Sequence, residues 1–242
     1  MRVLALDTTT RGGSVALVED DRLVSESEGD RARSHAERLP AEPIALLGAH
    51  GLMLADIDLF AVASGPGSFT GLRIGIATMQ GFALVRQRPL VGVSALDALA
   101  QLGSRGRREG ARIAAWMDAH RRDVFAALYS VSDAPLFSDE RIVEREGPTV
   151  GDPAATLARW AERPHVFIGD GASMYEAVIR RDVDDADVLP PPLLAGAIGR
   201  IAARRAARAD RVETIDAAGV QPLYVRRPDA EIDREKRWRS GP

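Results

Sequence analysis

The sequence contains no cysteine and only one lysine, Lys236, among its 32 basic residues. Without cysteine the chain cannot form a disulfide framework or a thiolate metal site. It also lacks any run close to the roughly 20 apolar residues that a membrane helix needs. The N-terminus, MRVLALDTTT, has too short an apolar stretch for a signal peptide. We therefore expect a cytoplasmic protein that makes no use of the membrane.

Length and charge define the class of protein further. A chain of 242 residues that is 45% hydrophobic can bury a substantial core, as one large domain or two smaller lobes. The formal net charge of -3 creates no overall field that would draw the chain onto nucleic acid or an anionic membrane. A globular protein with local sites is the expected result.

The order of apolar and turn-forming stretches predicts α/β architecture. VLAL, SVALVE and LVSESEG read as a three-stranded meander, and strands then alternate with helices, including a long helix from about Thr70 to about Arg86. The glycine-rich, charged segment GSRGRREG at 103–110 separates two halves. We expect an N-terminal lobe over 1–103, a C-terminal lobe over 111–218, and a largely disordered tail over 219–242.

Two turns suggest that the halves are related. DTTTRGGSVALV and DAHRRDVFAALY each place an aspartate, Asp7 or Asp118, at the end of one strand before a polar turn and a second apolar strand. A repeat of this kind indicates two lobes of one design, although strand, turn and strand is also a common unit that can recur by chance.

The stretch GPGSFTGLRIG, at 65–75, follows an apolar run and resembles a phosphate loop. It lacks the lysine of a Walker A loop, and Gly71 falls one place too late for the Rossmann fingerprint. A nucleophile elbow would need glycine where Pro66 and Thr70 stand. These three readings therefore fail on spacing.

The same stretch carries a stripe of small residues instead. Gly67, Gly71 and Gly75 recur every four residues, while a second set can face the core: Leu72, Ile76, Met79 and Ala83. Glycine inside a helix costs roughly 1 kcal/mol relative to alanine, so the stripe indicates that another backbone lies close to it. That backbone belongs either to the same chain or to a partner protein.

The N-terminal turn has two interpretations as well. Asp7, Thr8 and Thr9, with the glycines that follow, suit a turn in which an aspartate holds magnesium through water and hydroxyl and N–H groups meet phosphate. An ordinary hairpin turn uses the same residue types. The matching turn at Asp118 contains no glycine, so a two-sided nucleotide clamp would lack half of its parts.

Other chemical signals are weak. The four histidines, His35, His50, His120 and His165, are scattered and predict no metal site. The last helix carries a basic face that either touches RNA or is simply solvated. That face comprises Arg200, Arg204, Arg205, Arg208 and Arg211.

With these motifs in order, the chain resembles the TsaB (YeaZ) family of tRNA threonylcarbamoyladenosine biosynthesis. The resemblance rests on LALDTTT with GGSVALV, SHAERLP, AVASGPGSFTGLRIG, PLVGVSALDALA, MDAHRRDVFAALY, IGDGA and QPLYVRR. It implies an actin-like (ASKHA, ribonuclease H-like) fold of two α/β lobes, the second reduced. The relative TsaD carries a paired-histidine H-x-x-x-H motif, whereas four residues beyond His35 this sequence has Leu39.

The resemblance implies a non-catalytic partner that binds TsaD and supports its activity, with TsaE and ATP hydrolysis completing the system. It further implies a homodimer when alone, contact with tRNA through the complex, and no tightly bound cofactor beyond a vestigial phosphate turn at Asp7, Thr8 and Thr9. The expected partner interface comprises Ser34, His35, Leu39, Phe69, Gly71, Leu72, Arg73, Gly75 and Met79. The alternative is an active enzyme of the same fold, either a phosphotransferase or a metal-dependent glycoprotease-like hydrolase.

Overall fold

The computed structural model describes residues 1–208 and 219–226, which form two five-stranded sheets with helices around them. The first sheet has the order β3-β2-β1-β4-β5, in which β1, β2 and β3 are antiparallel and β1, β4 and β5 are parallel. Its strands are β1 (Arg2–Asp7), β2 (Ser14–Glu19), β3 (Arg22–Glu28), β4 (Leu59–Gly65) and β5 (Leu90–Ser94).

The second sheet repeats this plan with the order β8-β7-β6-β9-β10 and the same pattern of antiparallel and parallel pairs. Its strands are β6 (Arg112–Asp118), β7 (Val124–Val131), β8 (Ile142–Gly151), β9 (Val166–Ile168) and β10 (Asp187–Leu189). The predicted repeat is therefore confirmed, because the turns after Asp7 and Asp118 join equivalent strands of two sheets with one topology.

Eight helices accompany the described strands, and the long one falls where the sequence predicted it. Ser68 caps α3 by accepting from the N–H of Gly71, and the helix stops where Gln87 adopts a left-handed φ of 51°. Pro40 interrupts the preceding helical stretch and divides it in two. The helices are α1 (His35–Arg38), α2 (Ala41–Ala49), α3 (Phe69–Arg86), α4 (Ala95–Gly103), α5 (Pro153–Arg159), α6 (Asp170–Met174), α7 (Glu176–Asp182) and α8 (Ala195–Arg208).

Strand β1 is buried on both faces and separates two hydrophobic clusters. Leu4 and Leu6 point into an outer cluster that they share with α2 and α3. Val3 and Ala5 point the other way, into a central cluster built with α4, α8 and one face of the second sheet. Because side chains alternate along a strand, one nearly continuous apolar run serves both layers.

The position of helix α8 differs from the predicted lobe boundary. We expected the second lobe to extend to residue 218, but α8 lies on the first sheet, against β1, β2 and β4. Its small residues allow this approach: a Cβ on Gly199 would lie only 2.9 Å from a methyl carbon of Val18 and 3.1 Å from the Cβ of Ala5.

The expected tail is corrected in part. Residues 219–226 lie against the first lobe, where the Leu223 N–H donates to the carbonyl of Ser64 at 2.7 Å. The remaining predicted tail positions, 227–242, and residues 209–218 lie outside the described residues.

The glycine stripe of α3 packs within the chain, against the turn that follows β1. A Cβ on Gly75 would stand 2.2 Å from the Thr8 hydroxyl oxygen, and one on Gly71 would stand 2.3 Å from the Thr8 carbonyl oxygen. The opposite set, Leu72, Ile76, Met79 and Ala83, is buried as predicted. The close backbone approach that the sequence indicated is therefore intramolecular.

Two glycine-to-alanine substitutions on α3 distinguish the effect of close packing on stability from the effect of helix propensity. We expect Gly75→Ala to lower the free energy of unfolding by about 1–3 kcal/mol, because the added methyl must displace Thr8. Gly81→Ala is the matched control, since no heavy atom lies within 4 Å of its Cβ position, and should raise stability by about 0.5–1 kcal/mol. Urea denaturation measures both, and equal shifts for the two variants would refute the close-approach argument.

Candidate functional site

A cleft of about 290 Å³ lies between the two lobes, at the turn after β1. The first lobe contributes Asp7, Arg11, Gly12 and Glu28, and the second contributes Met117 and Asp170. The segment 191–194, which leads into α8, closes one side with proline and leucine side chains. The buried carboxyl group of Asp7 and the half-buried one of Asp170 thus line a cleft that also contains apolar side chains.

Asp7 is buried, and its Oδ1 accepts from both the N–H and the hydroxyl of Thr9, at 2.9 and 2.7 Å. Burial raises the pKa of Asp7 to about 6, although the hydrogen bonds from Thr9 oppose that shift. Asp170 on the other lobe adds a smaller contribution in the same direction. The carboxyl group therefore takes up its proton as the pH falls through about 6.

Asp170 is positioned by backbone groups of its own lobe. It accepts from the N–H of Asp118 at 3.0 Å and from the N–H of Gly171 at 2.9 Å. Burial raises the pKa of Asp170 despite these bonds. Both lobes therefore place a carboxyl group with a raised pKa at the cleft.

The turn after β1 is held from behind by a buried guanidinium. Arg38 donates to the carbonyl oxygens of Gly12 at 2.9 Å and Arg11 at 3.3 Å, and pairs with Glu42 at 2.7 Å. It also lies 2.8 Å from Nδ1 of His35.

His35 completes this network in its neutral form. Because a guanidinium can only donate, Nδ1 of His35 accepts from Arg38, and Nε2–H donates to the Thr10 carbonyl at 2.9 Å. Burial lowers the pKa of His35, which also favours the neutral ring. His35 and Arg38 therefore set the shape of the turn.

The hydrogen bonds within the turn after β1 do not fit the binding of a nucleoside triphosphate in the cleft. A phosphate loop presents free N–H groups, but the N–H groups of Thr9 and Gly13 donate to the side chains of Asp7 and Thr10. The carboxylate of Glu28 stands only 2.6 Å from the Cβ position of Gly12 and pairs with Arg31. The hairpin interpretation of the Asp7, Thr8 and Thr9 segment is thus the one that the geometry favours.

The equivalent turn of the second lobe departs further from a phosphate loop. His120, Arg121 and Arg122 are consecutive left-handed residues, with φ values of 57°, 55° and 67°, although none is glycine. Each such residue costs roughly 1–2 kcal/mol. Asp118 accepts from the His120 N–H at 2.8 Å, so the turn bonds to its own aspartate.

The predicted partner residues divide into buried and exposed groups. Gly71, Leu72, Gly75 and Met79 are buried within the first lobe, so for these four the expected surface contact is wrong. Their positions face Thr8 and the outer cluster because α3 turns its glycines and its large apolar residues inward.

Two of the remaining predicted residues are half-buried and three are exposed. His35 binds the turn after β1, and Leu39 packs against the outer cluster. Ser34, Phe69 and Arg73 are exposed. The Ser34 N–H donates to the Glu37 carboxylate at 2.7 Å, which forms a capping box at the start of α1.

Residues that the sequence reading missed form what we term the outer face, on the sides of α2 and α3 turned away from the first sheet. It comprises Ile44, Gly48, Gly81, Leu84 and Val85. Leu84 and Val85 are each 77% exposed and Ile44 is 48% exposed, while Gly48 and Gly81 have open space at their Cβ positions. Leu84 and Val85 fall outside the core stripe of α3, so their apolar character was a signal available in the sequence.

The basic face of α8 is paired within the chain. Arg200 and Arg204 bind Asp21, Arg205 binds Asp139, and Arg208 binds Glu140. Arg211 lies outside the described residues. The interpretation as an RNA-binding surface therefore receives no support from this helix.

Residues 1–208 and 219–226 contain neither a cluster of metal ligands nor a membrane-spanning helix. No group of three His, Asp or Glu side chains there is arranged to hold a metal ion. Nor does that part of the chain contain a helix with the length and apolar character required to span a bilayer.

The duplicated sheets with a cleft between them define a two-lobed α/β protein of the actin-like (ASKHA) class. The activator of the 2-hydroxyisocaproyl-CoA dehydratase from Clostridium difficile superposes with a TM-score of 0.50 at 11% identity, covering 86% of this chain and 96% of that one. This likeness concerns the fold alone.

Closer relatives give the family. The family model described as "TsaD: tRNA N6-adenosine threonylcarbamoyltransferase" matches residues 29–233. YeaZ from Pseudomonas aeruginosa superposes with a TM-score of 0.71 at 29% identity, covering 92% of this chain and 99% of that one.

Two curated relatives are named tRNA threonylcarbamoyladenosine biosynthesis protein TsaB. The Bacillus subtilis protein is 28% identical over 234 residues, 96% of each chain. The Escherichia coli protein is 38% identical over 140 residues, 58% of this chain and 60% of that one. The chain therefore belongs to the TsaB (YeaZ) branch of the family that the model describes.

The raised pKa of Asp7 predicts a pH dependence of stability. Between its ordinary pKa of 3.8 and about 6, the folded chain keeps a proton that the unfolded chain has released. Stability is therefore lost as the pH rises through this window, by at most ~3 kcal/mol, and then levels off. We expect Asp7→Asn to flatten this part of the curve, measured by urea unfolding from about pH 4 to about pH 7. A variant as pH-dependent as the wild type would contradict the assignment.

Replacing Arg38 tests the support of the turn. We expect Arg38→Leu to destabilise the chain by about 3–5 kcal/mol, because it leaves Glu42 and the carbonyls of Arg11 and Gly12 without their buried donor. Arg33→Leu, an exposed neighbour that donates to the Glu37 carbonyl, is the control and should change stability by about 0.5 kcal/mol or less. Thermal unfolding of both variants measures the difference, and a mild effect at Arg38 would show that the turn does not depend on it.

Proposed function

We propose that this chain is the non-catalytic partner of a TsaD-type transferase and supports its formation of threonylcarbamoyladenosine on tRNA. The proposal is supported by the full-length relative named as a TsaB biosynthesis protein. It is supported also by the cleft, where the groups that would hold phosphate bind the chain's own side chains.

The observation that carries the proposal is the outer face. Leu84 and Val85 project into solvent beside Gly81, and Ile44 does so beside Gly48. Leu84 and Val85 are consecutive apolar side chains that lie mostly in solvent, and contiguous exposed apolar surface is typical of a protein interface. The open glycines allow the partner's backbone to come close to both helices, as a helix-to-helix contact requires.

This surface is also the one through which we expect two copies of the chain to pair when the transferase is absent. In the full system TsaE and ATP hydrolysis complete the reaction cycle, and tRNA is contacted through the complex in the cytoplasm. We further propose that the chain itself holds no nucleotide tightly. The partner residues that remain from the sequence prediction are the exposed ones, Ser34, Phe69 and Arg73.

The competing hypothesis, an active enzyme of the same fold, depends on Asp7. Its Oδ1 accepts both hydrogen bonds from Thr9, so direct binding of a magnesium ion by that oxygen would compete with them. Tight binding of magnesium-ATP by the isolated chain, lost in Asp7→Ala, would instead favour the enzyme.

Sedimentation with the cognate transferase tests the proposal. We expect a complex at micromolar concentration, weakened at least about tenfold by Leu84→Asp because a charge would be buried at the interface. Met174→Asp, a comparably exposed apolar residue of the second lobe, is the matched control and should leave binding unchanged. The absence of any complex would refute the partner role, and equal effects of the two variants would refute the outer face.

A further inference from the structure

Residues 219–226, which we term the strap, run from the first lobe to the second. At its start, the Val220 carbonyl accepts from Nε2 of Gln80 at 3.2 Å. The Leu223 N–H then donates to the Ser64 carbonyl at 2.7 Å. The strap is therefore tied to both α3 and the end of β4.

Two glycines of the first lobe make room for this path. A Cβ on Gly65 would stand 2.8 Å from the Leu223 carbonyl oxygen, and Gly65 has a φ of 117° that few other residues adopt. A Cβ on Gly92 would stand 3.0 Å from a methyl carbon of Val220. The strap thus fits a surface shaped for it.

The middle of the strap binds the first turns of α3. The Tyr224 ring stacks on Phe69 with centroids 5.0 Å apart and planes inclined by 29°. The Tyr224 hydroxyl accepts from Nε of Arg73 at 2.8 Å, and the Arg73 guanidinium lies 4.1 Å from the centre of the Phe69 ring. Phe69 and Arg73 are exposed residues of the proposed partner surface, so the strap touches that surface directly.

The end of the strap binds the second lobe. Arg226 donates to the Ala119 carbonyl at 2.7 Å and pairs with the Asp123 carboxylate. Ala119 and Asp123 flank the three left-handed residues 120–122. One guanidinium therefore holds both ends of the turn between β6 and β7. This turn begins immediately after Asp118, whose N–H donates to Asp170 at the cleft.

We infer that the strap is a clamp that couples the start of α3 to the left-handed turn of the second lobe. Only one residue separates Tyr224 from Arg226, so a movement at either contact is passed to the other. The part of this inference that concerns a partner rests on the proposed function. A transferase that packs on Phe69 and Arg73 changes the contacts of Tyr224, and the clamp carries that change to the edge of the interlobe cleft.

Hydrogen exchange of the whole chain, read by mass spectrometry, tests the clamp without a partner. We expect Arg226→Ala to speed exchange of the 118–124 amides about tenfold, because both ends of the turn lose their charged donor. Tyr224→Ala should speed exchange there and also at 69–73. Arg108→Ala, which changes an exposed arginine of the segment between the lobes, is the control and should change neither.

Milder variants keep the test decisive if an alanine variant fails to fold. Arg226→Lys retains the charge but cannot hold Ala119 and Asp123 with a planar fork, so it should speed exchange only at the turn. Tyr224→Phe retains the stack and loses the bond to Arg73, so its effect should be smaller than that of Tyr224→Ala. Unchanged exchange at 118–124 in the folded Arg226 variants would overturn the clamp.

Adding the cognate transferase tests the coupling. We expect the complex to alter exchange at 118–124 in the wild type, and expect this response to disappear in Arg226→Ala. A response that persists in Arg226→Ala, or none in a wild-type complex that sedimentation has verified, would overturn the coupling. If no complex forms at all, the proposed function fails, while the clamp in the free chain still stands or falls on its own exchange data.

Discussion

The first lobe depends on the hydrogen bonds and the ion pair that the buried guanidinium of Arg38 makes. It binds the carbonyls of the turn after β1, orients His35, and pairs with Glu42 at the start of α2. Its desolvation is tolerated because carbonyl, carboxylate and imidazole acceptors bind its two terminal nitrogens, although its Nε has no hydrogen-bond partner. The turn that results has a closed shape, with Thr8 wedged against the glycines of α3 and two N–H groups bonded internally.

This arrangement determines which surfaces the protein exposes to ligands and partner proteins. The turn bonds two of its N–H groups to its own side chains, while the buried Thr8 hydroxyl has no hydrogen-bond partner. The cleft of the actin-like fold is therefore bordered by a turn in which those two N–H groups already have partners. Since α3 turns both Gly75 and Met79 inward, the helix presents Leu84 and Val85 to solvent. The packing of the α3 glycines on the turn and the exposure of Leu84 and Val85 are thus two consequences of one orientation of α3.

Much of the fold could be predicted from the sequence, because the local sequence signals agree with the packing of the whole chain. The apolar runs of β1 and β4, the long helix from about Thr70 to about Arg86, and the repeated strand, turn and strand unit all predicted elements that the structure contains. The sequence did not predict which lobe α8 packs on. An alanine-rich amphipathic helix fits either sheet, and the choice depends on the small contact surfaces at Gly199 and Ala5.

By itself the sequence determined the family, the duplicated α/β design and the presence of a glycine stripe that needs a backbone close by. The tertiary structure decided which backbone that is, because periodicity reports that one side of a helix is small but cannot report what faces it. It likewise decided the role of Tyr224 and Arg226, whose partners Phe69 and Asp123 lie more than 100 positions away. Contacts at that separation depend on how the two sheets are placed, which only the packing of the whole chain specifies.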